Sequence, residues 1–130
     1  MKVLIAGAAG QLGQAMVARL RSEHEVTAWT RQDIELTRHQ DVREAIGELA
    51  PQAIVNCASF NQVDRSEDDQ ITAFDVNAMV VGTMARGAAA VNAVFMHYST
   101  DFVFAGTAST MRSTLLRRRG PPNRLSTLST

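Results

Sequence analysis

A chain of 130 residues with 45% apolar and 20% charged side chains has the length and composition of one ordinary soluble domain. Its formal charge is zero, and its single cysteine, Cys57, rules out an internal disulfide and fits a reducing cytoplasm. No stretch approaches the ~20 apolar residues that a membrane span needs, and the apolar run after Met1-Lys2 is too short for a signal peptide.

Val3-Leu4-Ile5-Ala6 reads as a first buried strand, and it runs straight into Gly7-Ala8-Ala9-Gly10-Gln11-Leu12-Gly13. Placed between a strand and a helix, such a turn bends the chain sharply and lets a ligand approach bare backbone. Gly13 would let the helix pack close to the sheet. The first amides of that helix have no internal acceptor and sit at the positive end of its dipole, so a pyrophosphate fits there. The helix is expected to bury Leu12, Met16 and Leu20 beside Gly13 and Val17, leaving Gln14, Arg19 and Arg21 to water.

Glu25-Val26-Thr27-Ala28-Trp29 follows as a second strand. An acid at its end would grip the ribose hydroxyls of NAD, whereas Trp29-Thr30-Arg31 offers a guanidinium that suits the 2′-phosphate of NADP. A solvated loop arginine is the competing reading. Thr37-Arg38-His39-Gln40 fits a capping box. Val42, Ala45, Ile46 and Leu49 then recur at helical spacing, and Pro51 closes the segment. Ala53-Ile54-Val55-Asn56 is a third strand. A helix from about Asp69 to Ala90 should bury Ile71, Phe74, Ala78, Val81, Ala85 and Ala88 on one face, and Val94-Phe95-Met96-His97-Tyr98-Ser99 supplies a fourth strand. Alternating strands and helices imply an α/β fold: a Rossmann-like, doubly wound parallel sheet of about four strands, ordered 3-2-1-4. The unpaired edge of the fourth strand invites self-association.

Other chemistries find little support. His24, His39 and His97 stand apart with no metal-ligand spacing, which predicts surface or partly buried residues and no metal site. Cys57 reads as a core thiol. Glu67-Asp68-Asp69 reads as a solvated helix start. Charge divides the chain near Gly106: residues 1–106 hold all thirteen acids against eight basic residues, while 107–130 hold five arginines and no acid. The expectation is a dinucleotide-binding domain over 1–106 and a basic, disordered Ser/Thr/Arg-rich tail over 107–130. Arg117-Arg118-Arg119 lacks interleaved aromatics, which argues against nucleic acid.

Four stretches taken together carry a resemblance. The glycine turn, Asn56-Cys57-Ala58-Ser59-Phe60, Ala73-Phe74-Asp75-Val76-Asn77-Ala78 and Ser99-Thr100-Asp101-Phe102-Val103-Phe104-Ala105-Gly106 are similar to motifs of the dTDP-4-dehydrorhamnose reductase family, in the extended short-chain dehydrogenase/reductase group. The resemblance covers residues 1 to about 106. It implies NADPH-dependent reduction of a dTDP-linked 4-keto-6-deoxysugar, with the cofactor NADP(H) rather than NAD(H). By resemblance, Gly7, Gly10, Gln11 and Leu12 match the pyrophosphate loop, which Gly13 completes. Arg31 stands near the adenosine ribose or its phosphate, and Glu35 near the adenine. Ala58 and Ser59 run along the cofactor, and Thr100 is the hydroxyl of the catalytic set. Phe102 and Ala105 depart from the usual Tyr and Asp.

The family also uses a tyrosine, with a lysine four residues later, to protonate the carbonyl. Tyr98 and Lys2 are the chain's sole tyrosine and lysine, so no Tyr-x-x-x-Lys exists in it. Two functions follow as expectations: a nucleotide-sugar reductase seen through its cofactor-binding half, or a non-catalytic dinucleotide-binding regulatory module. The break at Gly106 further suggests a shifted reading frame beyond it.

Overall fold

The computed structural model describes residues 1–59 and 70–98. Within them, β1 (Lys2–Ala6), β2 (Glu25–Trp29), β3 (Ala53–Asn56) and β4 (Val94–His97) form one fully parallel sheet. Its order is β2-β1-β3-β4, not 3-2-1-4. β3 does not extend the sheet beyond β2. It pairs with the free side of β1, in the register Val3↔Ala53 to Ala6↔Asn56.

The helices explain the reversal. Helix α1 (Gln11–Leu20) lies over one face, where Met16, Val17 and Leu20 pack on Val3, Ile5 and Val55. Helix α2 (His39–Leu49) lies over the opposite face, where Val42 and Ile46 join Leu4, Ala6 and Ile54. Both crossovers are right-handed only if a change of face accompanies a change of direction. The chain therefore steps outward from β1 to β2, then back across β1 to β3. The apolar run of β1 is buried from both sides, as a central parallel strand must be. Where the direction reverses, a crevice lies at the carboxyl ends of the strands, lined by the loops after β1 and β3.

Several local expectations need correction. Leu12 is 41% exposed and lines the groove at the start of α1, and Gly13 is the one fully buried residue of that helix. The capping box does not form. α2 starts without a side-chain cap, and Thr37 turns back to hydrogen-bond Glu35. The helix ends at Ala50, whose φ of 45° lies in the left-handed region, just before Pro51.

The long helix is three segments: α3 (Gln70–Phe74), a π-helical turn (Asp75–Met79) and α4 (Val80–Ala90). Its buried face is Val80, Thr83, Met84, Gly87 and Ala88, whereas Ile71 and Phe74 are 85% and 64% exposed. The wide turn breaks the 3.6-residue phase, so one stripe cannot run from 71 to 88. Gly87 selects the inner face, since a Cβ there would stand 3.0 Å from Ile46 Cδ1. Beyond α4, Val94 and Met96 on β4 face away from the core. Thr100, the Ser99–Gly106 motif, Glu67-Asp68-Asp69, the 1–106 boundary and the 107–130 tail lie outside the described residues.

Candidate functional site

The crevice is a groove of about 840 Å³ across the carboxyl ends of β1, β2 and β3. Its floor is the β1–α1 loop. Gly7 adopts φ +73°, and a Cβ on it would lie 2.5 Å from the amide nitrogen of Ala58 on the neighbouring loop. A Cβ on Gly13 would collide with the carbonyl oxygen of Gly7. Gly10 is different. A Cβ there would meet nothing nearer than the Gly7 oxygen at 3.5 Å, so the fold itself does not demand a glycine. The bare backbone at Gly10 opens onto the groove and leaves room for a close ligand.

The loop is tied on three sides. Gly10 N–H donates to Gly7 O, Ala8 N–H to Trp29 O at the end of β2, and Cys57 N–H to Ala6 O. Helical bonding begins with Gln14 N–H donating to Gly10 O at 2.9 Å, and no side chain caps the helix. The amides of Gln11, Leu12 and Gly13 thus have no helical acceptor. No acidic residue stands in the first turn of α1 to neutralise the dipole.

The second wall is the segment after β2. Thr30 donates from both N–H and Oγ1–H to Asp33 Oδ2, each at 2.7 Å. The bond from the Thr30 side chain, and then that from its backbone, hold the Asp33 carboxyl below its usual range. This carboxylate is folded onto its own turn. Thr30, Arg31, Gln32, Ile34 and Glu35 line the groove, and Asp33 does not. Arg31 is exposed and forms no ion pair with a described residue. Glu35 is engaged by Thr37, whose N–H and Oγ1–H both donate to Oε1.

The third wall follows β3. Asn56 is 1% exposed, and both ends of its amide are bonded. Oδ1 accepts from Ala58 N–H at 3.0 Å, and Nδ2 lies 3.2 Å from Nδ1 of His97 on β4. Asn56 donates to a bare ring nitrogen in that arrangement, consistent with burial pushing His97 below its ordinary value. Burial likewise raises the Cys57 thiol, which stays protonated and is not an activated nucleophile.

Of the residues singled out in the sequence, Gly7, Gly10, Gln11, Leu12, Arg31, Glu35, Ala58 and Ser59 all line this one groove. Gly13 stands beneath it as a packing contact, and Thr100 is outside the described residues. Asn56, Val76 and Tyr98 also line the groove; the first two belong to the stretches that carry the resemblance, but none of the three was expected at the cofactor. For Asn56 a signal existed: an amide closing the otherwise apolar run Ala53-Ile54-Val55 has to find partners once buried.

A doubly wound parallel sheet with a glycine loop and an uncapped helix at its switch point defines a nucleotide-binding type of α/β domain. Residues 1–118 match the family model described as RmlD substrate binding domain, a match that runs past Gly106. The chain belongs to this family, that of the dTDP-4-dehydrorhamnose reductases. It is 36% identical to the dTDP-4-dehydrorhamnose reductase of Burkholderia thailandensis over 84% of its own length and 37% of the relative's. It is 39% identical to a probable dTDP-4,6-dihydroxy-2-methyloxan-3-one 4-ketoreductase of Streptomyces antibioticus, over 85% of this chain and 38% of that protein.

Among solved structures, the Clostridium acetobutylicum dTDP-4-dehydrorhamnose reductase superposes with a TM-score of 0.78 at 36% identity, covering 83% of this chain and 39% of that one. The Bacillus anthracis reductase, solved in complex with NADP, gives 0.76 at 30% identity, covering 82% and 39%. The chain spans less than two fifths of the length of these relatives.

Proposed function

We propose that the groove binds NADP(H) in preference to NAD(H), as the cofactor site of a reductase acting on dTDP-linked 4-keto sugars. The observation that carries the cofactor preference is the end of β2. Arg31 reaches the groove unpaired with any described residue, while of the two nearby acids Asp33 is bound to Thr30 and turned out of it and Glu35, which lines it, is held by Thr37. A guanidinium there recognises a 2′-phosphate, and both nearby carboxylates are engaged by threonine hydroxyls. Bound in this groove, NADPH would supply the hydride. The amides of Gln11 and Leu12 would hold its pyrophosphate, Gly10 would leave room for it, and Ala58 and Ser59 would run along it. Glu35 belongs near the adenine end, and Thr100 to the substrate carbonyl. The NADP complex of the B. anthracis relative supports the cofactor class.

We place this role in the cytoplasm. Among the described residues no helix is long and apolar enough to cross a membrane.

Calorimetric titration of the chain and of Arg31→Ala with NADPH and NADH tests the preference. The chain should bind NADPH more tightly, and Arg31→Ala should weaken NADPH by about tenfold or more while leaving NADH unchanged. Equal affinities in the parent chain would overturn the assignment.

A further inference from the structure

A hydrogen-bonded set on the α2/α4 face has no part in the groove as described so far. His39 opens α2, and its Nε2–H donates to Asp75 Oδ1 at 2.7 Å. Its Nδ1 lies 2.7 Å from Thr83 Oγ1, which also stands 3.2 Å from Met79 O, so the single hydroxyl proton serves one of these two acceptors. Thr83 is 2% exposed, so this Asp-His-Thr array presents no hydroxyl to a substrate and is not a hydrolytic triad.

Its geometry is that of a fastening. Asp75 and Met79 are the first and last residues of the π-helical turn, and one imidazole rooted on α2 is linked to both. A π turn is a wide, poorly bonded piece of helix that needs outside support. Among the described side chains of α3, Ile71 and Phe74 stand exposed and do not brace it. Val76, the second residue of that turn, lines the groove alongside Ala58 and Tyr98. His39 thus meets the turn from its far side and is not among the residues that line the groove.

We propose that His39 is a positioning residue for the dinucleotide, acting through Asp75, Thr83 and the π turn to place Val76. The proposal rests on the groove taking a dinucleotide, and the two can fail separately.

The test is a double-mutant cycle of His39→Ala and Val76→Ala, read as NADPH affinity by calorimetry, with amide hydrogen exchange of the ligand-free chains. His39→Ala should weaken NADPH about fivefold. With Val76 already truncated it should add nothing further, because both changes act on one contact. Without ligand, His39→Ala should speed exchange over residues 75–79 and leave β1 and α1 unchanged. His39→Gln keeps a donor and an acceptor, so it should recover part of the affinity, and it carries the test if the alanine variant does not fold. Unchanged affinity in the His39 variants, or losses that simply multiply in the double variant, would overturn the proposal alone. A parent chain that takes up no NADPH would overturn the dinucleotide reading, and this inference with it.

Discussion

The loops after β1 and β2 wall the same groove and are built in opposite ways. From Gly7 to Gly13 the shape comes from missing side chains, with backbone packed on backbone at Gly7–Ala58 and Gly13–Gly7. From Thr30 to Thr37 it comes from side chains that close on one another, Asp33 on Thr30 and Glu35 on Thr37. The first kind of loop is spelled by residue type at fixed spacing. The second depends on which carboxylate turns towards which hydroxyl, and no period in the sequence records that.

The largest effect that would break this contrast lies at Gly13. Gly13→Ala forces a methyl into the Gly7 carbonyl and against Ala8 Cα, so urea unfolding should show a loss of about 3 kcal/mol or failure to fold. A near-neutral result would mean that the loop is not held by backbone packing. Gly10→Ala should do the reverse. Its Cβ makes only ordinary contact, so stability should stay within about 1 kcal/mol while NADPH affinity drops about tenfold. If Gly10→Ala destabilises as much as Gly13→Ala, the loop has no division between packing and binding.

The third wall is an intermediate case, bonded through side chains yet largely buried. His97 sits below its ordinary 6.5, so the folded ring stays neutral at a pH where the unfolded chain takes up a proton. Its contribution is fully present above about pH 6.5 and is lost as pH falls below it. Melting at pH 7.5 and 5.5 should show a larger acid loss for the parent chain than for His97→Gln, and equal losses would refute the assigned state. The smallest effect belongs to Asp33. Its carboxyl is held below 3.8, so its contribution is present above that pH and fades as pH falls further. The stability difference between the parent chain and Asp33→Asn should shrink below pH 3.8, and a difference independent of pH would show that the Thr30 bonds do not depend on charge.

The same contrast explains what could be read in advance. All four strands and the glycine loop were legible, because apolar runs and glycine spacing are local. The order of the sheet was not. Whether α2 carries the chain outward or back across β1 is decided by Val42 and Ile46 meeting Leu4 and Ile54, contacts between distant parts of the chain. The helix from 70 to 90 misled for a related reason. It is apolar on more than one side, and its inner face is chosen by Gly87 admitting Ile46 and by a π turn that periodicity cannot foresee. His39 looked isolated since its partners lie 36 and 44 residues away in sequence.

The interlock of Gly7 with Ala58 also bears on how quickly a ligand can settle. A floor made of main chain, pinned to Trp29 and to the loop after β3, has few rotamers to freeze. Capture of a pyrophosphate on that floor would cost little ordering entropy, and orientation and charge would govern its rate. Stopped-flow mixing should therefore show a single phase whose rate rises linearly with dinucleotide concentration and falls with added salt.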